Sequence, residues 1–325
     1  MRVPAQSPRA TAPLEVERAD AVLVGAGIAS ATLAMLLSEL EPTWRIVVLE
    51  KLNGPALESS HAWNNAGTGH SALCELNYTP MDARGRVSIE KAVGINEKFQ
   101  VSRAWWAHLV ETGKLRHPER FIRTVAHMSF VHGEENRRFL RARYDALHAH
   151  PLFSELEYTE DRARLGEWAP LIMEGRAAGT PLSATRSLAG TDVDFGALTR
   201  ALLEAAGNAG TSVHYGAEVI DLRRMGRDWG VMASTRGTVH VVRAPFVFVG
   251  AGGAALPLLQ RSGINAIRGY GGFPISGQWL RSTNPELAAR HDAKVYGTAA
   301  VGSPPMSVPH LDTRFIDGRR ELMFG

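Results

Sequence analysis

The chain of 325 residues contains a single cysteine, Cys74. One thiol closes no intrachain disulfide and builds no cysteine-based metal site, and such sparing use of cysteine suits a reducing cytoplasm. No apolar run approaches the roughly eighteen residues that a membrane-spanning helix needs, so any membrane contact is expected to be peripheral. The opening MRVPAQSPRATAPLEVER lacks the apolar centre of a secretory signal and reads as a flexible tail over 1–19. Charge of one sign is also scarce. Lys and Arg number 36 against 33 Asp and Glu, and the surplus of +3 gives no support for a nucleic-acid partner. Eight of the cations lie between Lys114 and Arg143, facing only Glu119, Glu134 and Glu135. That stretch is either a solvated helical face or a contact for an anionic membrane surface or acidic substrate.

What is present is organised. Hydrophobic residues at 45% and a length sufficient for about two domains predict a folded chain with a sizeable core. Ala21–Val24 reads as a buried strand, Ile28–Leu40 as a helix and Ile46–Leu49 as a second strand, which together form a right-handed βαβ unit with parallel strands. Residues 53–86 read as loop. A helix with Ser88 as its N-cap runs towards Gly113, and more helical, charged sequence continues to about His150. Asp194–Ala206 reads as a helix closed by Gly207, Thr211–Tyr215 as a short strand, and 217–243 as an antiparallel meander. Pro245-FVFVGAGG then brings an apolar strand to a second pair of glycines.

The first βαβ unit carries VGAGIAS. Gly25 permits the tight turn, Gly27 lets the backbone approach a pyrophosphate, and the helix N-terminus offers free N–H groups to phosphates. Ser30 stands at the third fingerprint position, small enough for close helix–strand packing. Glu50 ends the second strand, placed for both hydroxyls of an adenosine ribose. A carboxylate there repels a 2′-phosphate, so FAD or NAD is expected rather than NADP. No further glycine fingerprint with its own acid follows. The loop SSHAWNNAGTGH offers Asn65, Gly67, Gly69 and His70 to a flavin ring, and Gly250 and Gly252 a second approach to the pyrophosphate, so a tightly held FAD is the preferred reading. His61 and His70 flank that loop, each either bonding the ring carbonyls or packing the loop.

Three long, irregular stretches carry a resemblance: SSHAWNNAGTGHSALCELNYTP (Ser59–Pro80), SLAGTDVDFGALT (Ser187–Thr199) and GSPPMSVPHLDTR (Gly302–Arg314). They resemble the malate:quinone oxidoreductases, and the likeness runs from about residue 20 to the end. The resemblance implies an FAD-dependent enzyme at the inner face of the cytoplasmic membrane that oxidises (S)-malate to oxaloacetate and reduces a membrane quinone, a step of the tricarboxylic acid cycle. It implies an α/β chain with a Rossmann-like FAD-binding domain, parallel-sheeted and discontinuous over 20–86 and 187–263. A second, α+β substrate domain over 87–186 and 264–325 is expected, as in D-amino-acid-oxidase-like flavoproteins. Family members continue beyond this point with a further glycine motif, so a fragment or a truncated protein is expected. The alternatives are a related flavin oxidase that uses oxygen on another 2-hydroxy acid or an amino acid, and an inactive FAD-binding fragment.

Oxidation of a 2-hydroxy acid needs a hydride acceptor, a base and cations for the carboxylates. An imidazole near its ordinary pKa suits the base, and His310 is the candidate. A guanidinium pairs bidentately with a carboxylate, and Arg314 is the candidate clamp. Their spacing of four puts both on one face of a helix or of a strand. Arg186, Lys294 and Tyr296 are secondary candidates for the dicarboxylate.

Overall fold

The computed structural model describes residues 16–274, 277–299 and 307–325. The expected tail over 1–15 and residues 302–306 of the third resemblance motif lie outside them. The chain divides into two compact units, Met1–Ser59 with Leu202–Phe273 and Ser60–Ala201 with Pro274–Gly325.

In the first unit the β-branched runs pair as the βαβ reading requires. Four strands lie in parallel in the order Phe246–Val249, Ala21–Val24, Ile46–Glu50, Ser212–Tyr215. Both central strands are buried throughout, and helix Ile28–Leu40 turns its small side chains Ser30, Ala31 and Ala34 inward. On the other side Val22, Val24, Val47 and Leu49 meet Val219, Leu222, Val231 and Val242 of the antiparallel meander Ala217–Met225, Asp228–Thr235, Thr238–Ala244. Burying each such side chain contributes about 1.5–3 kcal/mol, which makes this seam the unit's main stabilising element. Phe246–Val249 is an edge strand, and Phe246 stays 41% exposed. The expected tail is shorter than 1–19, because Val16–Arg18 adds a parallel strand to the meander beside Val241–Arg243.

The second unit is built on a seven-stranded sheet in the order Leu280–Ser282, Arg319–Phe324, His310–Ile316, Ala293–Tyr296, Ala126–His132, Leu182–Ser187, Glu157–Thr159. All its pairs are antiparallel except Ala293–Tyr296 with Ala126–His132. Side chains alternate between faces along each strand, so the registers separate two sets of residues. Ala126, Met128, Phe130, Leu182, Ala184, Ala293 and Val295 form an apolar face, covered by Leu165 and Trp168 of helix Arg162–Trp168. The opposite face carries His127, Ser129, Thr185, Lys294, Tyr296, His310, Asp312, Arg314 and Glu321, all of them buried.

The expected domain limits shift. Residues 60–86 and 187–201 belong with the sheet of the second unit, while 264–273 belong to the first. Glu90–Glu111 begins after Ile89 rather than after a Ser88 cap, because the Ser88 hydroxyl bonds the Glu90 carboxylate. Gly207 lies inside helix Phe195–Asn208, and the turn falls at Gly210, whose φ is +104°. The basic stretch from Lys114 is not a single patch: Arg143 is fully buried, and Arg137 and Arg141 pair with Glu134, Glu160 and Asp145.

Candidate functional site

In the first unit, the parallel strands end at the residues the glycine motifs supply. Gly25 has φ +92°, and a Cβ there would lie 2.6 Å from the Gly250 carbonyl oxygen, so two glycine turns touch where a side chain has no room. A Cβ on Gly250 would collide with Ser30 Oγ, a hydroxyl fully buried with no hydrogen-bond partner among the described residues. Gly27 is the helix N-cap, with no side-chain cap bond. Glu50 is 8% exposed; its Oε2 accepts from the Ala26 amide at 2.7 Å and its Oε1 from the Leu52 amide at 2.8 Å. The carboxylate is thereby fixed beside the glycine turn with a lone pair left on each oxygen. Gly252, φ +51°, has open space around it, the nearest atom being Ser59 Oγ at 3.9 Å.

In the second unit, the loop from Asn65 to Gly69 lies against the buried polar face of the sheet. Its five successive carbonyls all accept hydrogen bonds: Asn65 from Arg314 Nη1 at 2.5 Å, Ala66 from Lys294 Nζ at 2.8 Å, Gly67 from the Val193 amide at 2.7 Å, Thr68 from Thr191 Oγ1 and Gly69 from Ser71 Oγ. Gly67 and Gly69 have φ near +57°, and a Cβ on either would strike the anchors themselves, Arg314 and Val193 for Gly67 and Thr191 and Phe99 for Gly69. With every carbonyl engaged, the amides of Ala66, Thr68, Gly69 and His70 find no acceptor among the described residues. Thr68 and Gly69 are nonetheless buried.

Beneath the loop stand four buried charges. Asp192 Oδ1 lies 2.9 Å from Lys294 Nζ and 2.7 Å from Arg314 Nε, and its Oδ2 accepts from the Phe315 amide. Asp312 Oδ2 lies 2.9 Å from His310 Nδ1 and 4.0 Å from Lys294 Nζ. Burial pushes the Asp312 carboxyl up, but Lys294, His310 and Arg314 outweigh it and hold its pKa below the ordinary value. The His310 ring is 7% exposed, stacked on Tyr296 at 4.7 Å and 11°, with Trp279 edge-on at 4.9 Å. Tyr296 Oη bonds Thr68 Oγ1 at 2.8 Å, so the loop and the imidazole are joined through one tyrosine. Burial raises the Tyr296 pKa well above its ordinary value, and the Asp312 charge adds to it, so the phenol stays protonated. Glu75, whose carboxyl is pushed up by burial, lies within electrostatic reach of His310.

The structure therefore unites His310, Lys294, Tyr296, Arg314, Asn65, Gly67, Gly69 and His70. It also changes the roles expected of several. Arg314 is not a clamp for a ligand carboxylate: its side chain has no exposed surface, and Asp192 and the carbonyls of Asn65 and Val193 occupy its fork. Lys294, equally buried, holds Ala66 and Asp192. Arg186 lies on the opposite, apolar face, stacked over Trp168 at 5.4 Å, away from the cluster. His61 packs the loop, its Nδ1 accepting from the Trp63 amide and its carbonyl from Asn65 Nδ2. Desolvation and the Lys294 charge lower the pKa of His70, which favours a neutral ring. Asp192, Asp312 and Glu75 were missed, although each lies inside a quoted motif. The even spacing in HLDTR that placed His310 and Arg314 on one face places Asp312 there as well.

The family profile described as Malate:quinone oxidoreductase (Mqo) matches residues 17–325. Probable malate:quinone oxidoreductases of Kocuria rhizophila and Pseudomonas putida are 57% and 54% identical over 97% and 95% of the chain. The chain spans 64% and 62% of their respective lengths. Among solved structures, L-α-glycerophosphate oxidase from Mycoplasma pneumoniae with FAD bound covers 95% of the chain (71% of its own) at a TM-score of 0.67 and 14% identity. Glycine oxidase from Geobacillus kaustophilus covers 94% (70% of its own) at 0.62 and 18%. These two share the fold. Sequence identity above one half along almost the whole chain goes further: the chain belongs to the malate:quinone oxidoreductase family.

Proposed function

We propose that this chain binds FAD and serves the oxidation of (S)-malate to oxaloacetate, with electrons delivered to a membrane quinone. The observation that carries the reading is the Asn65–Gly69 loop, whose carbonyls are all taken up by the protein while four neighbouring amides have no acceptor among the described residues. Buried N–H groups without partners are rare in folded chains, and those of the buried Thr68 and Gly69 suit the acceptor-rich edge of an isoalloxazine ring. In the first unit, the glycine contact at Gly25 and Gly250, the capless helix start at Gly27 and the fixed Glu50 carboxylate fit the pyrophosphate and ribose of a dinucleotide. Malate and quinone come from the relatives' names.

Bound FAD supplies the two-electron acceptor for the hydrogen that leaves malate C2, and its reoxidation is the quinone's part. His310, held by three neighbours and barely exposed, receives the hydroxyl proton. Carboxylate recognition falls to a cation with free surface. On the polar face that description fits Arg281, whose side chain is 44% exposed: it stacks on Trp63 at 3.8 Å and its Nε and Nη2 pair with Glu321, while Nη1 has no partner among the described residues. Exposed cations such as Arg116 and Arg120 support a peripheral approach to the anionic membrane that holds the quinone.

The test is anaerobic addition of malate to full-length, FAD-loaded protein while the long-wavelength flavin band is followed. Bleaching by malate is expected. Bleaching by another 2-hydroxy acid but not by malate overturns the substrate, and peroxide in air without quinone reduction overturns the acceptor.

A further inference from the structure

We infer that Asp312 is the positioning residue for His310: it holds the imidazole in the tautomer that carries its proton on Nδ1, so that Nε2 is the atom facing the substrate hydroxyl. The inference deepens the proposed function and rests on it for the identity of the substrate.

Asp312 is fully buried, and a buried carboxylate persists only where its charge is met. Asp192 shows what a structural solution looks like here, with two cations at 2.7 and 2.9 Å and a backbone amide on its second oxygen. Asp312 has no such set. No backbone amide reaches it, its Oδ1 has no hydrogen-bond partner among the described residues, and Lys294 stands 4.0 Å away, engaged by Asp192 and Ala66. Among the described residues its one close neighbour is His310 Nδ1 at 2.9 Å, within hydrogen-bond distance though not ideally aligned. Such loose alignment is usual before a substrate tightens a catalytic hydrogen bond. A purely structural acid would have no reason to depend on the least buried member of the cluster.

The ring has little freedom to turn away. Tyr296 stacks on one face and Trp279 meets it edge-on. On the Nε2 side stands Gly325, where a Cβ would lie 3.1 Å from that nitrogen and would strike the Trp279 ring, so glycine backbone and indole fix this edge of the imidazole. The charged and titratable groups facing His310 come from every packed element: Asp312 and Arg314 on its own strand, Lys294 and Tyr296 on the next, and Glu75 from the loop. With FAD bound to accept the hydride from malate C2, the hydroxyl proton would pass to Nε2 as the carbonyl forms. The imidazolium that results lies against the Asp312 anion.

The experiment uses full-length holoenzyme with 15N-histidine labelling, His310→Gln identifying the ring resonances. In the wild type the Nδ1–H tautomer is expected; an Nε2–H tautomer overturns the inference. In Asp312→Asn, which preserves volume, the anaerobic rate of flavin reduction by malate is expected to fall at least 100-fold. The malate dissociation constant should change less than threefold, and the acid limb of the rate profile should move to lower pH, because the imidazolium loses its neighbouring anion. An unchanged rate and profile overturn it. Asp312→Ala repeats the test without a polar substitute; should it fail to fold, the tautomer and the Asp312→Asn profile still decide. If malate never bleaches the wild-type flavin, the substrate assignment fails, while the tautomer continues to judge Asp312 independently.

Discussion

Lys294 Nζ donates to the carbonyl of Ala66 at 2.8 Å, joining residues 228 apart in the chain. With Arg314 on the neighbouring Asn65 carbonyl, this bond fixes a glycine-rich loop against the sheet. Two cations that read as substrate clamps are in fact fasteners of the backbone.

Removing one fastener should be severe. Lys294→Met leaves Asp192 with a single buried cation and frees the Ala66 carbonyl, and breaking a buried pair from one side costs about 3–5 kcal/mol. Urea unfolding should show a loss of that order, and fluorescence titration should show FAD affinity at least tenfold weaker. The pair variant Lys294→Met with Asp192→Asn should recover part of the stability but not the affinity.

Glycine positions separate strain from collision. Gly85→Ala, at φ +77° with nothing within 4 Å, should cost only the left-handed backbone penalty of about 1–2 kcal/mol. Gly67→Ala, at a similar φ but against Arg314 and the Val193 carbonyl, should cost clearly more and abolish FAD uptake. Thermal unfolding and flavin content of the two purified variants check this.

Acid should weaken the fold in two windows. Burial lowers the pKa of His127 to about 4, so between its unfolded value of 6.5 and about 4 the unfolded chain binds more protons than the native one. Stability therefore falls as pH drops through that range, by about 3 kcal/mol in total. Asp312, with a folded pKa below its unfolded one, keeps its contribution above the unfolded value and loses it as pH falls through the folded value. Urea unfolding at pH 7.5 and 5 should show the first loss in the wild type and a much flatter slope in His127→Gln.

Arg281→Met should raise the malate KM about 10- to 100-fold, the effect of losing one charge-assisted hydrogen bond of about 1.5–3 kcal/mol, with a smaller change in kcat. Arg186→Met, on the other face of the sheet, should leave KM within about threefold. Steady-state rates with a soluble quinone analogue provide the measurement.

What the sequence disclosed follows the range of its signals. Ala21–Val24, Ile28–Leu40 and Ile46–Glu50 were legible because apolar spacing, glycines and a terminal acid lie within thirty residues and act locally. The meander after residue 217 was legible for the same reason. The buried polar face was not, because a strand written HLDTR or AKVY shows no sign of which side is covered, and the cover comes from residues 65–69. An arginine bonded to its own backbone has the same letter as one that faces a ligand, so Arg314 could be placed but not given its role. Domain limits failed similarly: residues 60–86 follow the nucleotide motif in sequence but pack on a sheet assembled mostly from later residues.

The most direct measurement is hydrogen exchange of residues 65–70 in full-length apoprotein, with and without FAD. FAD is expected to slow exchange strongly at Thr68, Gly69 and His70, together with the first turn after Gly27. Exchange at Thr68 and Gly69 that stays the same with flavin bound would contradict it.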